Sequence, residues 1–287
     1  MHPQPGLQPG KGMDMGQVSR IHPLKLRSVW ISDVHLGFRG CSADMLLDFL
    51  HSVECEHLYL VGDIIDVWNM KRGVFWPQEH NNVIRTLLGK AKHGTRVVYV
   101  PGNHDEVFRD HDGTVFGNVE ICREAIHETR EGKRLLVLHG DEFDTVVQRS
   151  RWLAILGSHA YDFLLSMNHL LNSVRKPLGL HYWSLAGFLK RKVKNAVNYI
   201  GSFEDAVSRE ARKRDADGVV CGHIHHAVIR DLEGTLYCNC GDWVESNTAL
   251  VEYHNGELEL LHWKDVSAGL MPDDSLEPVS VASSGIH

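Results

Sequence analysis

Leu58-Tyr59-Leu60-Val61-Gly62-Asp63-Ile64-Ile65-Asp66 is the stretch on which the fold turns. Its first four residues are a continuous aliphatic and aromatic run closed by glycine, which fits a strand covered on both faces. A carboxylate just past such a strand sits where open α/β sheets place their ligands. Taken alone, Gly-Asp after a strand is also an ordinary turn. Four other expected strand ends carry similar clusters: Asp33-Val34-His35, Gly102-Asn103-His104-Asp105, His139-Gly140-Asp141 and Gly222-His223-Ile224-His225. Together they supply carboxylate, amide and imidazole donors, the set that a pair of divalent metals requires.

Outward from this stretch, strands and helices alternate. Residues 28–32 read as the first strand, and a helix from Ser42 carries Met45, Leu46, Phe49 and Leu50 on its apolar face. Pro77 opens a further helix, and residues 96–100 form the third strand. This alternation predicts a layered α/β fold. Further strands are expected at 119–121, 134–138, 218–221, 235–239 and 248–253. From about 143 to 214 the spacing of Trp152, Leu153, Ile155, Leu156, Phe163 and Leu170 reads as helical, broken at Pro177-Leu178-Gly179 and continued by a basic helix. Residues 1–20 are expected to be a disordered leader and those after about 266 a loose tail, leaving 21–265 as one domain with a helical insertion.

The chain has 287 residues, 43% hydrophobic and 23% charged, an ordinary globular balance with room for a large core. Its formal net charge of -7 argues against a general nucleic-acid binder, so no nucleic-acid partner is expected. The six cysteines imply no disulfide framework in a core of this size. Cys238 and Cys240 share one strand face; buried reduced thiols are the expectation there, a metal pair the alternative. With no signal-like stretch and no apolar run approaching about 20 residues, the chain reads as a soluble cytoplasmic protein.

Asp33 and His35 stand two residues apart, so on an extended segment both point the same way. Asp63 can place one oxygen on each of two cations, and Asn103 offers a neutral carbonyl oxygen. His139, His223 and His225 supply nitrogens, with Gly222 expected to let the chain turn tightly between them. Mixed oxygen and nitrogen donors suit manganese, iron or zinc better than calcium. Two cations about 4 Å apart would clamp and neutralise a phosphate and acidify a water. His104, beside Asn103, is placed to stabilise the transition state or protonate a leaving group.

This series of motifs, spanning positions 33 to 225, resembles the calcineurin-like metallophosphoesterases. The resemblance implies a two-sheet β-sandwich flanked by helices, with the helical insertion acting as a cap. It implies one cation held by Asp33, His35, Asp63 and His225, and a second by Asp63, Asn103, His139 and His223. Manganese is the first choice for both, with iron or zinc as alternatives. In related enzymes the carboxylate corresponding to Asp66 orients the histidine corresponding to His104.

The insertion after His139-Gly140-Asp141, the Gly222-His223-Ile224-His225 motif and the late Gly241-Asp242-Trp243 resemble the UDP-2,3-diacylglucosamine hydrolase group. That resemblance implies cleavage of the pyrophosphate of a UDP-linked lipid substrate to UMP and a lipid monophosphate, a step of lipid A biosynthesis. Arg175, Lys190 and Lys194 are the candidate substrate-binding cations, a solvated helix face being the alternative, and the basic helix is a candidate contact with an anionic membrane surface. The chain departs from the best-characterised members of the group in carrying His104 where they carry arginine. Hydrolysis of another lipid or nucleotide phosphodiester, nuclease or cyclic-nucleotide chemistry, and a metal-free protein scaffold are the competing readings.

Overall fold

The computed structural model describes residues 23–146 and 185–270. Parallel strands β1 (Leu24–Ile31), β2 (Val53–Val61) and β3 (Arg96–Val100) lie at the centre of the first sheet. It is completed by β4 (Thr114–Phe116), β5 (Val119–Ile121) and the later β11 (Thr248–Glu252) and β12 (Leu258–His262), in the order β12-β11-β1-β2-β3-β5-β4. The second sheet contains β6 (Ala125–Glu128), β7 (Arg134–Val137), β8 (Gly218–Cys221), β9 (Val228–Leu232) and β10 (Thr235–Asn239), in the order β6-β7-β8-β10-β9.

Alternation along the strands explains the layering. Leu58 and Leu60 of β2 join Val97 and Tyr99 of β3 in a core covered by α1 (Ala43–Ser52) and α3 (Gln78–Lys92); the short α2 (Val67–Met70) lies between these helices in the chain. Tyr59, Val61, Val98 and Val100 point the other way, against Leu135, Val137, Val220 and Cys238 of the second sheet. Leu136, Val219 and Tyr237 turn outward under Phe203, Val207 and Ala211 of the long α4 (Leu185–Lys213). The continuous apolar runs are therefore strands buried on both faces, each large side chain contributing about 1.5–3 kcal/mol of burial free energy. The expected two-sheet sandwich flanked by helices is the observed fold.

Several boundaries need correction. The first strand begins at Leu24, and β4, β6, β9 and β12 are additional. All four are short, half-exposed or antiparallel segments without a continuous apolar run. Residues 266–270 belong to α5 (Trp263–Leu270), whose Trp263 Nε1 donates to Asp48 Oδ2 at 2.8 Å, so a helix runs past the point where a loose tail was expected to begin. Of the expected insertion at about 143–214, the described residues are the end of a 3₁₀ turn, Asp141–Val146, and α4. The leader, residues 147–184 of the insertion and the tail beyond 270 lie outside the described residues. Cys238 and Cys240 are buried free thiols, as expected, and burial pushes the Cys238 thiol up.

Candidate metal centre

The carboxyl ends of β1, β2, β3, β7 and β8 deliver Asp33, Asp63, Asn103, His139 and His223 to one edge of the sandwich. The backbone there is strained. Asp33 (φ 51°), His35 (57°), Asp63 (53°), His223 (71°) and His225 (53°) all occupy the left-handed region. Non-glycine residues pay roughly 1–3 kcal/mol each for such conformations and cluster in them where function requires it. Asp33 and His35 thus converge through left-handed turns, not through the pleat of an extended segment. The turn after β8 is likewise taken by His223 and His225; Gly222 is needed because a Cβ there would meet Asp33 Oδ2 at 2.5 Å and Ser32 Cβ at 2.6 Å.

Hydrogen bonds hold the strained loops against each other. Asp33 N donates to Gly62 O at 3.0 Å and His35 N to Asp63 O at 2.8 Å. Each central carboxylate spends one oxygen on a backbone amide: His223 N donates to Asp33 Oδ2 at 2.8 Å, and His104 N to Asp63 Oδ1 at 2.7 Å. The remaining oxygens face imidazoles. Asp63 Oδ2 lies 3.4 Å from His139 Nε2 and 3.9 Å from both His35 Nε2 and His104 Nε2. Asp33 Oδ1 lies 3.2 Å from His225 Nε2 and 4.0 Å from His35 Nε2.

A second layer fixes these rings. His139 Nδ1 donates to Val61 O at 3.0 Å; because a carbonyl only accepts, Nε2 is the nitrogen of that ring that can offer a lone pair to a cation once its proton leaves. Asp66 takes His35 Nδ1 on Oδ2 at 3.2 Å and His104 Nδ1 on Oδ1 at 2.9 Å, and also caps Asn69 N. Burial opposes the charge on Asp66, but hydrogen bonds from His104, His35 and Asn69 outweigh it and hold the carboxyl well below its ordinary range. Burial likewise opposes charge on Asp33 and Asp63, and the neighbouring histidines reverse that effect too. Burial would depress His139, yet Asp63 and Asp33 push it up to about 10. A field that attracts protons this strongly attracts cations by the same physics.

The donor set fits a divalent pair. Ligand atoms of Asp33, His35 and His225 lie within 4.8 Å of one another, as do those of His35, Asp63 and His104 and those of Asp63, His139 and His223. Donors at about 2.1 Å from a shared first-row cation stand roughly 3–4 Å apart. Among the described residues, His35 Nε2 is buried and finds no hydrogen-bond partner, and the nearest group to His139 Nε2 is the Asp63 carboxylate at 3.4 Å. Such atoms cost about 1–3 kcal/mol each unless something else takes the lone pair. Asn103 is buried in the loop after β3, between Gly102 and His104.

Three expected substrate-binding residues lie where the structure describes no side chain. Arg175 lies outside the described residues, while Lys190 and Lys194 belong to the first half of α4, where only the backbone is described. Other residues in contact with the cluster are ones that motif spacing did not single out. Asp105 accepts Gly102 N at 2.6 Å, Ile64 N at 2.7 Å and Tyr99 OH at 2.5 Å, tying the β2 and β3 loops together. Asp144 Oδ1 lies 2.7 Å from His223 Nε2 and accepts Tyr199 OH of α4 at 3.0 Å. Asp242 Oδ2 lies 3.8 Å from His225 Nδ1. The signals for Asp105 and Asp242 were their places in the Asn-His-Asp triplet and in Gly241-Asp242-Trp243; Asp144 carried none beyond proximity to a motif.

Comparison with known proteins places this geometry in context. A family model described as calcineurin-like phosphoesterase matches residues 26–227, well over half of the chain. Proteins named UDP-2,3-diacylglucosamine hydrolase are similar at low identity. The one from Psychromonas ingrahamii is 25% identical over 255 residues, covering 82% of this chain and 97% of that protein. The one from Photorhabdus laumondii is 24% identical over 221 residues, covering 71% and 84%. Among solved structures, an archaeal phosphodiesterase aligns with 82% of this chain and 98% of its own at 12% identity and a TM-score of 0.40. Zinc-complexed Vps29 from Entamoeba histolytica aligns over 82% and 98%, at 12% identity and a TM-score of 0.39. With its two-sheet sandwich and its converging aspartates and histidines, the chain belongs to the calcineurin-like phosphoesterases, metal-dependent hydrolases of phosphoester and pyrophosphate bonds.

Proposed function

We propose that the protein cleaves the pyrophosphate bond of a UDP-linked acylated glucosamine, releasing UMP and an acylated glucosamine 1-phosphate for lipid A biosynthesis. The observation that carries the substrate is the match to hydrolases of that name along most of their length. The reaction class is supported by the clustering of Asp33, His35, Asp63, His139, His223 and His225, with Asn103 next to His104 in the chain. Asp33, His35, Asp63 and His225 would hold one cation, and Asp63, Asn103, His139 and His223 the other, with manganese favoured over iron or zinc. When bound, such a pair neutralises phosphoryl charge and supplies a nucleophile at neutral pH.

The chain's own residues supply the rest. His104 is fixed through Nδ1 by Asp66, so its Nε2 is aimed at the side of Asp63 where a phosphoryl group would lie. Carrying a proton on Nε2, it donates to the departing phosphate oxygen; Asp66 stabilises the charged ring before that transfer. Trp68 packs against this ring, with centroids 4.6 Å apart. The insertion would cap the acyl chains. Exposed Trp68 and Val74, next to Lys71 and Arg72, support docking at an anionic membrane face. None of the described helices is long and apolar enough to cross a membrane.

A turnover panel tests the reading. Manganese-loaded protein is expected to release UMP from UDP-2,3-diacylglucosamine in strong preference to unacylated UDP-glucosamine or bis(p-nitrophenyl) phosphate. Equal turnover of the three would remove the acylated substrate and leave a general phosphodiesterase, the reading that His104 in place of arginine favours.

A further inference from the structure

Arg109 lies in the 3₁₀ turn Glu106–His111, outside every motif that points to metal. Its Nε and Nη2 donate to Pro101 O at 3.2 and 3.0 Å. Its Nη1 and Nη2 donate to Asp141 Oδ2 and Oδ1 at 3.1 and 2.6 Å, a two-pronged pair. Pro101 stands two residues before Asn103 at the end of β3, and Asp141 two residues after His139 at the end of β7. One guanidinium therefore spans the two segments, one from each sheet, that carry Asn103 and His139.

We propose that Arg109 is a positioning residue for the cation held by Asp63, Asn103, His139 and His223: it sets the distance between the two strand ends that carry Asn103 and His139. The inference rests on the metal reading above and extends it. These four hydrogen bonds occupy three of the guanidinium nitrogens and most of its five donor hydrogens, leaving little for a substrate. Arg109 also walls a 430 Å³ cavity beside His139, together with Arg123, Glu142 and Arg214. Its side chain is 25% exposed and that of Asp141 12%, so the pair borders solvent and shortening the arginine opens Asp141 to water from the cavity.

Cobalt(II) titration of the metal-stripped full chain, read by calorimetry and by visible absorption, tests this. Wild type is expected to take two ions. Arg109→Ala is expected to keep the first at unchanged affinity and to bind the second about 10–100-fold more weakly, with an altered absorption band. Arg109→Lys should show the same split, because lysine keeps the charge but not the fork. Asp141→Asn should show it as well. A general loss of stability would weaken both steps; the split is particular to positioning. Should Arg109→Ala fail to fold, the lysine and Asp141→Asn variants carry the test. Two ions bound at wild-type affinity by folded Arg109→Lys and Asp141→Asn would overturn the inference alone. Fewer than two in wild type would overturn the metal reading and this inference with it.

Discussion

His104 Nδ1 lies 2.9 Å from Asp66 Oδ1, and the other oxygen of the same carboxylate lies 3.2 Å from His35 Nδ1. One side chain thus orients both a candidate metal donor and the candidate general acid, whose rings meet edge to face with centroids 4.7 Å apart. The two roles are separable by mutation. His104→Ala is expected to lower kcat by about 10²–10⁴-fold while leaving metal content unchanged. Asp66→Asn, which keeps shape but loses charge, should cost about 10–100-fold in turnover and also weaken metal retention through His35. Steady-state kinetics beside metal analysis of the same preparations checks both; a His104→Ala protein at wild-type kcat would end the general-acid assignment.

Asp63 is the carboxylate around which His35, His104 and His139 are arranged. Its removal takes a shared donor from both proposed cations at once. Asp63→Ala is therefore expected to lose both ions and to fall to background hydrolysis, whereas His225→Ala retains the ion on the far side. Chelation of the wild-type protein should abolish turnover, with recovery on adding manganese. Elemental analysis after dialysis is the measurement, and an Asp63→Ala protein that still carries two ions would contradict the shared role.

The parts of this arrangement that were legible in the sequence are those written in continuous runs and short motifs. Leu58–Val61 announces a strand buried on both faces because each of its residues has an apolar partner layer, one under α1 and α3 and one across the sandwich. The donors at the strand ends stand out because carboxylate, amide and imidazole recur there in order. Edge strands were not legible, since β9 sets two adjacent exposed charges, Arg230 and Asp231, between half-buried aliphatics and competes with loop composition. Nor was the backbone of Asp33 and His35, because left-handed conformations of non-glycine residues are imposed by tertiary hydrogen bonds such as His35 N to Asp63 O. Asp105 escaped for the same reason. Its role is to accept amides of a loop some forty residues earlier, a pairing visible only once β2 and β3 lie side by side.

Gly62 shows how tightly these loops are built. It sits at φ 77°, and a Cβ there would overlap the ring of His139, which cannot swing aside without breaking its bond to Val61 O. Gly62→Ala is expected to destabilise the metal-free protein by about 2–4 kcal/mol, strain and overlap together. Gly132, at φ 82° with nothing within 4 Å of its would-be Cβ, supplies the control. Gly132→Ala should cost only about 1 kcal/mol, the strain alone. Urea denaturation of both variants in chelator decides it: equal losses would mean that the contact with His139 is not constraining.

A buried charge network away from the donor cluster makes the stability depend on pH. Glu252 accepts Arg27 Nη1 at 2.6 Å, Ser28 Oγ at 2.9 Å and Arg130 N at 2.6 Å, with His127 Nε2 at 3.1 Å. Burial alone would raise its carboxyl, but these donors, His127 foremost, bring it from 4.5 down to about 2. A group whose folded value is depressed stabilises the native state above its unfolded value and loses that contribution as pH falls toward the folded one. The stabilisation, on the order of 2 kcal/mol, is therefore complete above about pH 5 and disappears between about pH 4.5 and 2. Glu252→Gln should remove this slope and, by stranding Arg27, cost about 3 kcal/mol at neutral pH. Unfolding free energies of wild type and variant from pH 7 down to pH 3 give the comparison. Parallel pH profiles for the two proteins would show that Glu252 is not the group responsible.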